Sequence, residues 1–417
     1  MKQRNNPFII IALFAIIMHL PINAIAQEMC QVNTTLEGAI ANKDQVTYLF
    51  LYNQGLSELS PKISNCTSLE QLMLAYNQFT KLPAYLDKLV NIEAADFSNN
   101  QLTDISVITN WTELTNLSVS NNKISELPDA FGNLNNLYHF YAANNQLSQL
   151  PESFSKLENM DEIDLSYNQF TSYPTALTQL EELNDINLSN NKITNFPSDF
   201  GNLNYLESLN LAFNQIDSLP EGITKFERLE ILNLEGNKLT SLPASFRNLN
   251  HLKQLNISNN QFKSLPLNFL NDFYIEDLNV SHNQLSDLPA DFSELRFNNL
   301  NLAHNNFTHI PQCILIYAIK TLNLNNNNIG LLPDNIYSLS SIEDLSLANN
   351  NISALPTSIA NLRTLEYLDL SNNRLTLLPP GIRSLTNLKI IDLRNNPLPM
   401  SEIYSLKADL PQCTVLF

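Results

Sequence analysis

The stretch Leu365-Glu366-Tyr367-Leu368-Asp369-Leu370-Ser371-Asn372-Asn373 carries the pattern L-x-x-L-x-L-x-x-N, and nearly the whole chain repeats it with different fillings. The closing Asn recurs as Asn77, Asn100, Asn122, Asn145, Asn168, Asn191, Asn214, Asn237, Asn260, Asn283, Asn305, Asn327, Asn350, Asn373 and Asn396. The step is 23 residues, shortened to 22 at three places. One step earlier, Val46, Leu49 and Leu51 keep the arrangement, with Gln54 in the Asn position, so the repeat makes about sixteen turns. Leu368 and Leu370 flank Asp369, which predicts a short strand with leucines on one face and the acid on the other. One such turn cannot bury its leucines alone. Stacked turns share an apolar column and pair their strands in parallel. The Asn stands where the chain leaves the strand, and its amide both donates and accepts, so it is expected to satisfy backbone groups that the sheet leaves unpaired.

Between strands, segments such as Leu219-Pro220-Glu221-Gly222-Ile223-Thr224-Lys225-Phe226-Glu227-Arg228-Leu229 place apolar residues at three- and four-residue steps. This predicts a short helical turn, with Pro220 at its first position. The chain from 46 to 398 resembles the leucine-rich repeat family, and the L-P-x-x-I-x-x-L filling is similar to the Ras-suppressor and scribble subclass and to secreted bacterial repeat proteins. The resemblance implies an α/β solenoid, horseshoe or arc in shape, with a parallel β-sheet on the concave face and helical or 3₁₀ turns on the convex face. It also implies binding of a protein or peptide partner on the concave face. The third turn departs from the pattern: Ile105-Ser106 lacks the proline, and Trp111, the only Trp, replaces a leucine.

Residues 1–26 read as a secretory signal peptide. Lys2 and Arg4 precede an apolar run from Phe8 to Leu20, and Ala24-Ile25-Ala26 forms an A-x-A site before Gln27. The apolar run is too short to span a bilayer comfortably, and no later stretch has membrane length. The expected product is exported to a periplasm, cell surface or medium, without membrane insertion, and is a monomer. Cleavage removes two positive charges and no negative ones, moving the net charge from −18 to −20. Such a surface disfavours nucleic acid.

Residues 27–45 are read as an N-terminal cap, in which Thr34-Thr35-Leu36-Glu37 has capping-box spacing ahead of Leu36, Ala39 and Ile40. Residues 399–417 are read as a C-terminal cap, with Ser401 starting a helix that carries Ile403, Leu406 and Leu410, and with Val415 and Phe417 sealing the last turn. Cys313 stands several turns from Cys66 and Cys413, too far for a disulfide. Cys30 with Cys66 is the one reachable pair, and two buried thiols are the alternative.

Most non-leucine strand positions hold small or amide residues, and two patches depart from this. One groups Tyr48, Phe50, Tyr52, Met73 and Tyr76; the other groups His139, Tyr141 and Tyr167 with Glu162 and Asp164. Aromatics in a polar surround are typical of binding hot spots. For the first patch the alternative is coverage by the N-terminal cap; for the second it is aromatic filling of the sheet. Glu162 and Asp164 resemble a glycosidase pair only superficially, because an open sheet has no walls to exclude water or separate two pKa values. His282 and His304 occupy one repeat position a turn apart, with no third ligand evident, so neither a metal nor another cofactor is expected. The expected function is non-catalytic recognition of a protein or peptide. A structural or adhesive envelope spacer and a polysaccharide-binding module are the alternatives.

Overall fold

A computed structural model describes residues 32–197, 200, 203–266, 274–290, 292, 296–315 and 319–417. The signal-peptide reading of residues 1–26, and Cys30 with them, lie outside the described residues. These fall into two compact units, the first comprising 32–146 with 151–157 and the second 147–150 with the residues from 158 onward.

The first unit carries strands Val32–Asn33 (β1), Tyr48–Phe50 (β2), Gln71–Met73 (β3), Ala94–Asp96 (β4), Asn116–Ser118 (β5) and His139–Tyr141 (β6). Each pairs in parallel with the next. The second carries Glu162–Asp164 (β7), Asp185–Asn187 (β8), Ser208–Asn210 (β9), Ile231–Asn233 (β10), Gln254–Asn256 (β11), Tyr274–Asn279 (β12), Arg296–Asn301 (β13), Thr321–Asn323 (β14), Asp344–Ser346 (β15), Tyr367–Asp369 (β16), Ile390–Asp392 (β17) and Thr414–Leu416 (β18). Their register places leucine against leucine, as in Leu209, Leu232, Leu255 and Leu278. Within each unit these side chains form the buried column that the alternation predicts. The result is a leucine-rich repeat solenoid with strands on one side of each turn and 3₁₀ turns on the other.

The closing Asn residues form the expected ladder. Asn214 is buried; its Oδ1 accepts from the Ile193 amide one turn back at 2.9 Å. Its Nδ2 reaches the carbonyls of Leu188 in the preceding turn and Leu211 in its own, both at 3.0 Å. In the first unit Asn100 does the same, accepting from Phe79 and donating to Leu74 and Phe97, each at 3.0 Å. Gln54, lacking the right length for this role, leaves its own amide to Asn77 Oδ1 and extends its side chain to the carbonyl of Thr34.

The return segments are 3₁₀ rather than α-helical, and their bonds are threaded through the buried residues. Ile223 donates to Pro220, Phe226 to Ile223 and Leu229 to Phe226. The three-residue step of the apolar positions matches this period, which puts i and i+3 on one face. Pro220 lies one residue before the first helical position, with φ −73° and ψ 153°, and the same holds for the prolines that open most other turns. There it lends its carbonyl and needs no donor. In the third turn Asp104 substitutes, accepting from the Ser106 amide at 2.7 Å, and Trp111 is buried with its Nε1 donating to the Leu86 carbonyl at 3.0 Å.

Both end helices start elsewhere than the sequence suggests. In α1 (Leu36–Ala41), Thr35 rather than Thr34 is the cap, its Oγ1 accepting from Gly38 at 3.1 Å, so Glu37 falls one place short of the capping box. Only Ala39 of its apolar residues is fully buried, and α1 packs beside the Pro61–Asn65 turn and β1. The strand β1, which the sequence did not announce, continues the parallel sheet before β2. At the other end, Pro399 precedes α2 (Met400–Asp409), leaving Ser401 inside the helix. Ile403, Leu406, Leu410 and Val415 are buried as expected, but Phe417 is exposed under the Lys407 ammonium.

Replacing Asn214 by Ala leaves the buried Ile193 amide unpaired and removes one of two donors from each of the Leu188 and Leu211 carbonyls, which keep Asn191 and Asn237; we expect a loss of roughly 2–3 kcal/mol in chemical denaturation. The same change at the less buried Asn396 costs about 1 kcal/mol.

Candidate functional site

Two local devices decide which side chains on the strand face remain available. The first is an Asx turn. At the third strand position Asp96, Asp164, Asn187, Asn210, Asn233 and their equivalents turn Oδ1 back to accept from the amide two residues on, as in Asp164 to Ser166 at 2.8 Å. Asp164 thus closes its own turn, which is a structural duty the sequence reading did not assign to it. Burial raises the Asp164 carboxyl above the ordinary range, against hydrogen bonds from Ser166 and Asn187 that lower it.

The second device is a left-handed residue just before each ladder Asn. Asn99, Asn121, Asn144, Asn190, Asn259, Asn326, Asn349, Asn372 and Asn395 hold it with φ between 54° and 59°, and Gly236 at 67°. Asn and Gly tolerate this conformation; bulky residues do so at a cost. Five turns nevertheless place an aromatic ring there: Tyr76, Tyr167, Phe213, His282 and His304. Tyr76, Tyr167 and Phe213 are 49%, 57% and 49% exposed, so burial does not compensate the strain. The Phe213 ring lies over Gly236, where an added Cβ would come within 2.5 Å of it.

The first patch lies wholly within the first unit. The exposed rings of Tyr52 and Tyr76 meet with centroids 4.9 Å apart, while Tyr48 and Phe50 are half-buried. Met73, expected in the patch, is buried between its register neighbours Phe50 and Asp96 and offers no surface.

The second group divides between the units. In the first, His139 is buried, its Nδ1 paired with Asn116 Oδ1 at 2.6 Å, and its ring is stacked with Tyr141 at 6.2 Å and edge-on to the exposed Tyr138 at 4.6 Å. His139 therefore positions tyrosines instead of presenting itself. In the second, Glu162 pairs in register with Asp185, and Tyr167 projects from its left-handed position. Asp185 was not singled out from sequence, yet its carboxyl is pushed up to about 6 by burial and by the charges of Asp164 and Asp161, against a hydrogen bond with Ser208.

His282 and His304 do meet, as their shared repeat position implied, but as a stack with centroids 3.8 Å apart and planes within 13°. Parallel rings aim their in-plane lone pairs side by side instead of at one point. No group of three or more His, Cys, Asp or Glu with metal-holding geometry occurs among the described residues. The Cys66 sulfur is buried, 3.6 Å from the Ala39 carbonyl oxygen. Among the described residues no helix is long and apolar enough to cross a membrane.

Two variants test these assignments. Tyr167→Asn relieves a left-handed backbone without removing a ring contact, and should stabilise the protein by roughly 0.5–1 kcal/mol in denaturant titrations. For Asp185 the folded pKa lies above the unfolded one, so its favourable contribution is complete below about pH 4 and disappears as pH rises through about 6. Asp185→Asn should therefore unfold like the parent near pH 4 and be more stable at pH 8, by up to about 3 kcal/mol.

Models of leucine-rich repeats match residues 88–215 (leucine-rich repeat region), 204–262 and 318–375 (leucine rich repeat), and 363–408 (leucine rich repeats, two copies). A leucine-rich repeat protein of Leptospira interrogans is 33% identical, with a TM-score of 0.87 over 93% of this chain and 100% of that one. The ectodomain of the Arabidopsis receptor kinase HAESA, solved with a peptide hormone ligand, is 26% identical, with a TM-score of 0.62 over 92% of this chain and 72% of that one. Toll of Drosophila, solved in complex with Spätzle, shares the fold at 23% identity and a TM-score of 0.75; the match covers 88% of this chain and 53% of Toll, about half its length. By repeat, ladder and these matches, the chain belongs to the leucine-rich repeat family.

Proposed function

We propose that this chain is an exported, monomeric, non-catalytic recognition protein that holds a protein or peptide partner on its strand face. The observation that carries the reading is the Tyr52–Tyr76 contact: two exposed rings packed against each other, one held in a backbone conformation that costs stability. Strain retained without structural compensation points to use of the side chain. Rigid aromatics bury large area with little entropy loss, and a preformed scaffold loses little more on binding. Export is supported by the charge and hydropathy pattern of residues 1–26. That HAESA, a relative with this fold, is solved with a peptide is consistent with a polypeptide ligand. The non-catalytic reading is supported by Asp164, whose Oδ1 is committed to its Asx turn.

The test is affinity capture from envelope and host-surface extracts on immobilised residues 27–417. Beside the parent, a Tyr52→Ala, Tyr76→Ala variant and a Tyr141→Ala, Tyr167→Ala variant are run, with melting temperatures measured for each. We expect a partner retained by the parent and lost, at least tenfold, by the first variant at unchanged fold. Equal capture by parent and both variants would remove the aromatic surfaces as the site, and no specific capture at all would favour a spacer.

A further inference from the structure

In the second unit the left-handed positions that follow the strands form a ridge, and two of them, Tyr167 and Phe213, carry exposed rings two turns apart with Asn190 between. We propose that these rings are stacking platforms for an extended β-1,4-linked glycan, which lies along the ridge and rests on them through alternate sugars. The site is separate from the Tyr52 and Tyr76 pair, and its ligand is of a different class from the polypeptide assigned there.

The argument begins with the seating of the rings. Tyr167 and Phe213 share a φ of 54°, and each donates its backbone amide to a carbonyl of the next turn, of Ser189 at 2.9 Å and of Glu235 at 2.6 Å. Equivalent backbones send the two Cα–Cβ bonds the same way. Neighbouring strands lie about 4.8 Å apart, so the two anchor points are about 9.6 Å apart. Phe213 is followed in the row by Gly236, and its ring takes the space a side chain would fill there: Cγ, Cδ1 and Cε1 all come within 3.2 Å of where a Cβ would stand. The ring is thus seated against backbone while the residue stays 49% exposed.

Polar groups flank the rings. Asn259 and Asn395 of the same row donate to Glu235 and Asn372 at 2.9 and 2.8 Å, whereas the Asn190 side chain has no partner among the described residues. Glu235, the chain neighbour of Gly236, stands where most turns hold Ser or Ala. Its carboxylate is held by Asn256 at Oε2 and Asn259 at Oε1, at 3.0 and 2.9 Å. Each oxygen keeps capacity for another donor.

This pattern selects its ligand. Rings separated by an amide make no closed apolar pocket, which is what a protein side chain fills at a hot spot. A β-linked glucose or N-acetylglucosamine unit instead has apolar faces of axial C–H groups and a polar rim. Its C–H groups pack on the negative face of an aromatic ring. Its hydroxyls both donate and accept, as the Glu235 carboxylate and the Asn190 amide require. In an extended β-1,4 chain alternate sugars present the same face, and they recur at one disaccharide length, which matches the two-turn interval. His282 and His304, farther along the row, spend their faces on each other at 3.8 Å and extend the platforms no further.

The probes are cellohexaose and chitohexaose, titrated into the full chain by isothermal titration calorimetry, with maltohexaose, whose α-1,4 chain curls, as the contrast. Tyr167→Asn and Phe213→Asn install the residue that most of the row holds, so the backbone is relieved and the fold is kept. The expected result is saturable binding of at least one β-1,4 hexamer by the parent, and at least tenfold weaker binding by either variant at undiminished melting temperature. Maltohexaose gives no saturable binding, and Tyr52→Ala, Tyr76→Ala keeps the parent affinity. Absence of saturable binding of both β-1,4 hexamers by the parent would overturn the proposal, as would unaltered affinity in either ring variant or equal affinity for maltohexaose. So would loss of binding in the Tyr52, Tyr76 variant alone, which would move the glycan to that pair. Failure here leaves polypeptide capture at Tyr52 and Tyr76 untouched, since its ligand and its variant are different.

Discussion

Every turn of this solenoid must leave its strand, bend, and still satisfy the backbone groups it buries, and a single asparagine amide does this in nearly all of them. Its oxygen takes an amide from the turn before, and its nitrogen is shared among carbonyls of both turns, as Asn100 and Asn214 show. Because an unpaired buried polar group costs about 1–3 kcal/mol, fifteen such positions matter more than any local helix or strand preference. Leucine burial drives the stack, but leucines alone would not fix where each turn ends. The ladder sets the register, and the register then aligns the strands.

That division of labour separates scaffold from surface. The leucines, the ladder asparagines, the Asx-turn residues and the residues threading the 3₁₀ turns are committed to the fold. What remains for recognition is small: the solvent-facing strand positions whose side chains are not tied back, and the left-handed residue before each ladder Asn. Tyr76, Tyr167 and Phe213 stand there in place of the residues the backbone prefers.

The repeat made the fold class, the strands, the leucine column and the ladder legible in the sequence, because each is written in a fixed period and repeated until chance is excluded. The approach of His282 to His304 followed from the same period, whereas their stacked geometry did not. Details decided by one or two atoms were not legible. Thr34 and Thr35 are equally plausible caps until the first helical turn is placed, and Pro220 at the cap or one residue later reads identically. Met73 and His139 sit at outward strand positions, and only their neighbours Phe50, Asp96 and Asn116 show them to be covered. The left-handed row did leave a signal: Asn precedes the ladder Asn in most turns, and the turns that break this rule with an aromatic are the ones that stand out.

Native-state hydrogen exchange tests the primacy of the ladder most directly. The amides of Ile124, Ile216 and Leu239 lie in loop segments outside any strand, and each donates to a ladder Oδ1 at 3.0, 3.0 and 2.9 Å. If the ladder governs the register, these amides exchange as slowly as those of strand residues such as Leu117 and Leu232. Exchange at the rate of an exposed loop amide such as Ser218 would show that leucine burial holds the turns without it.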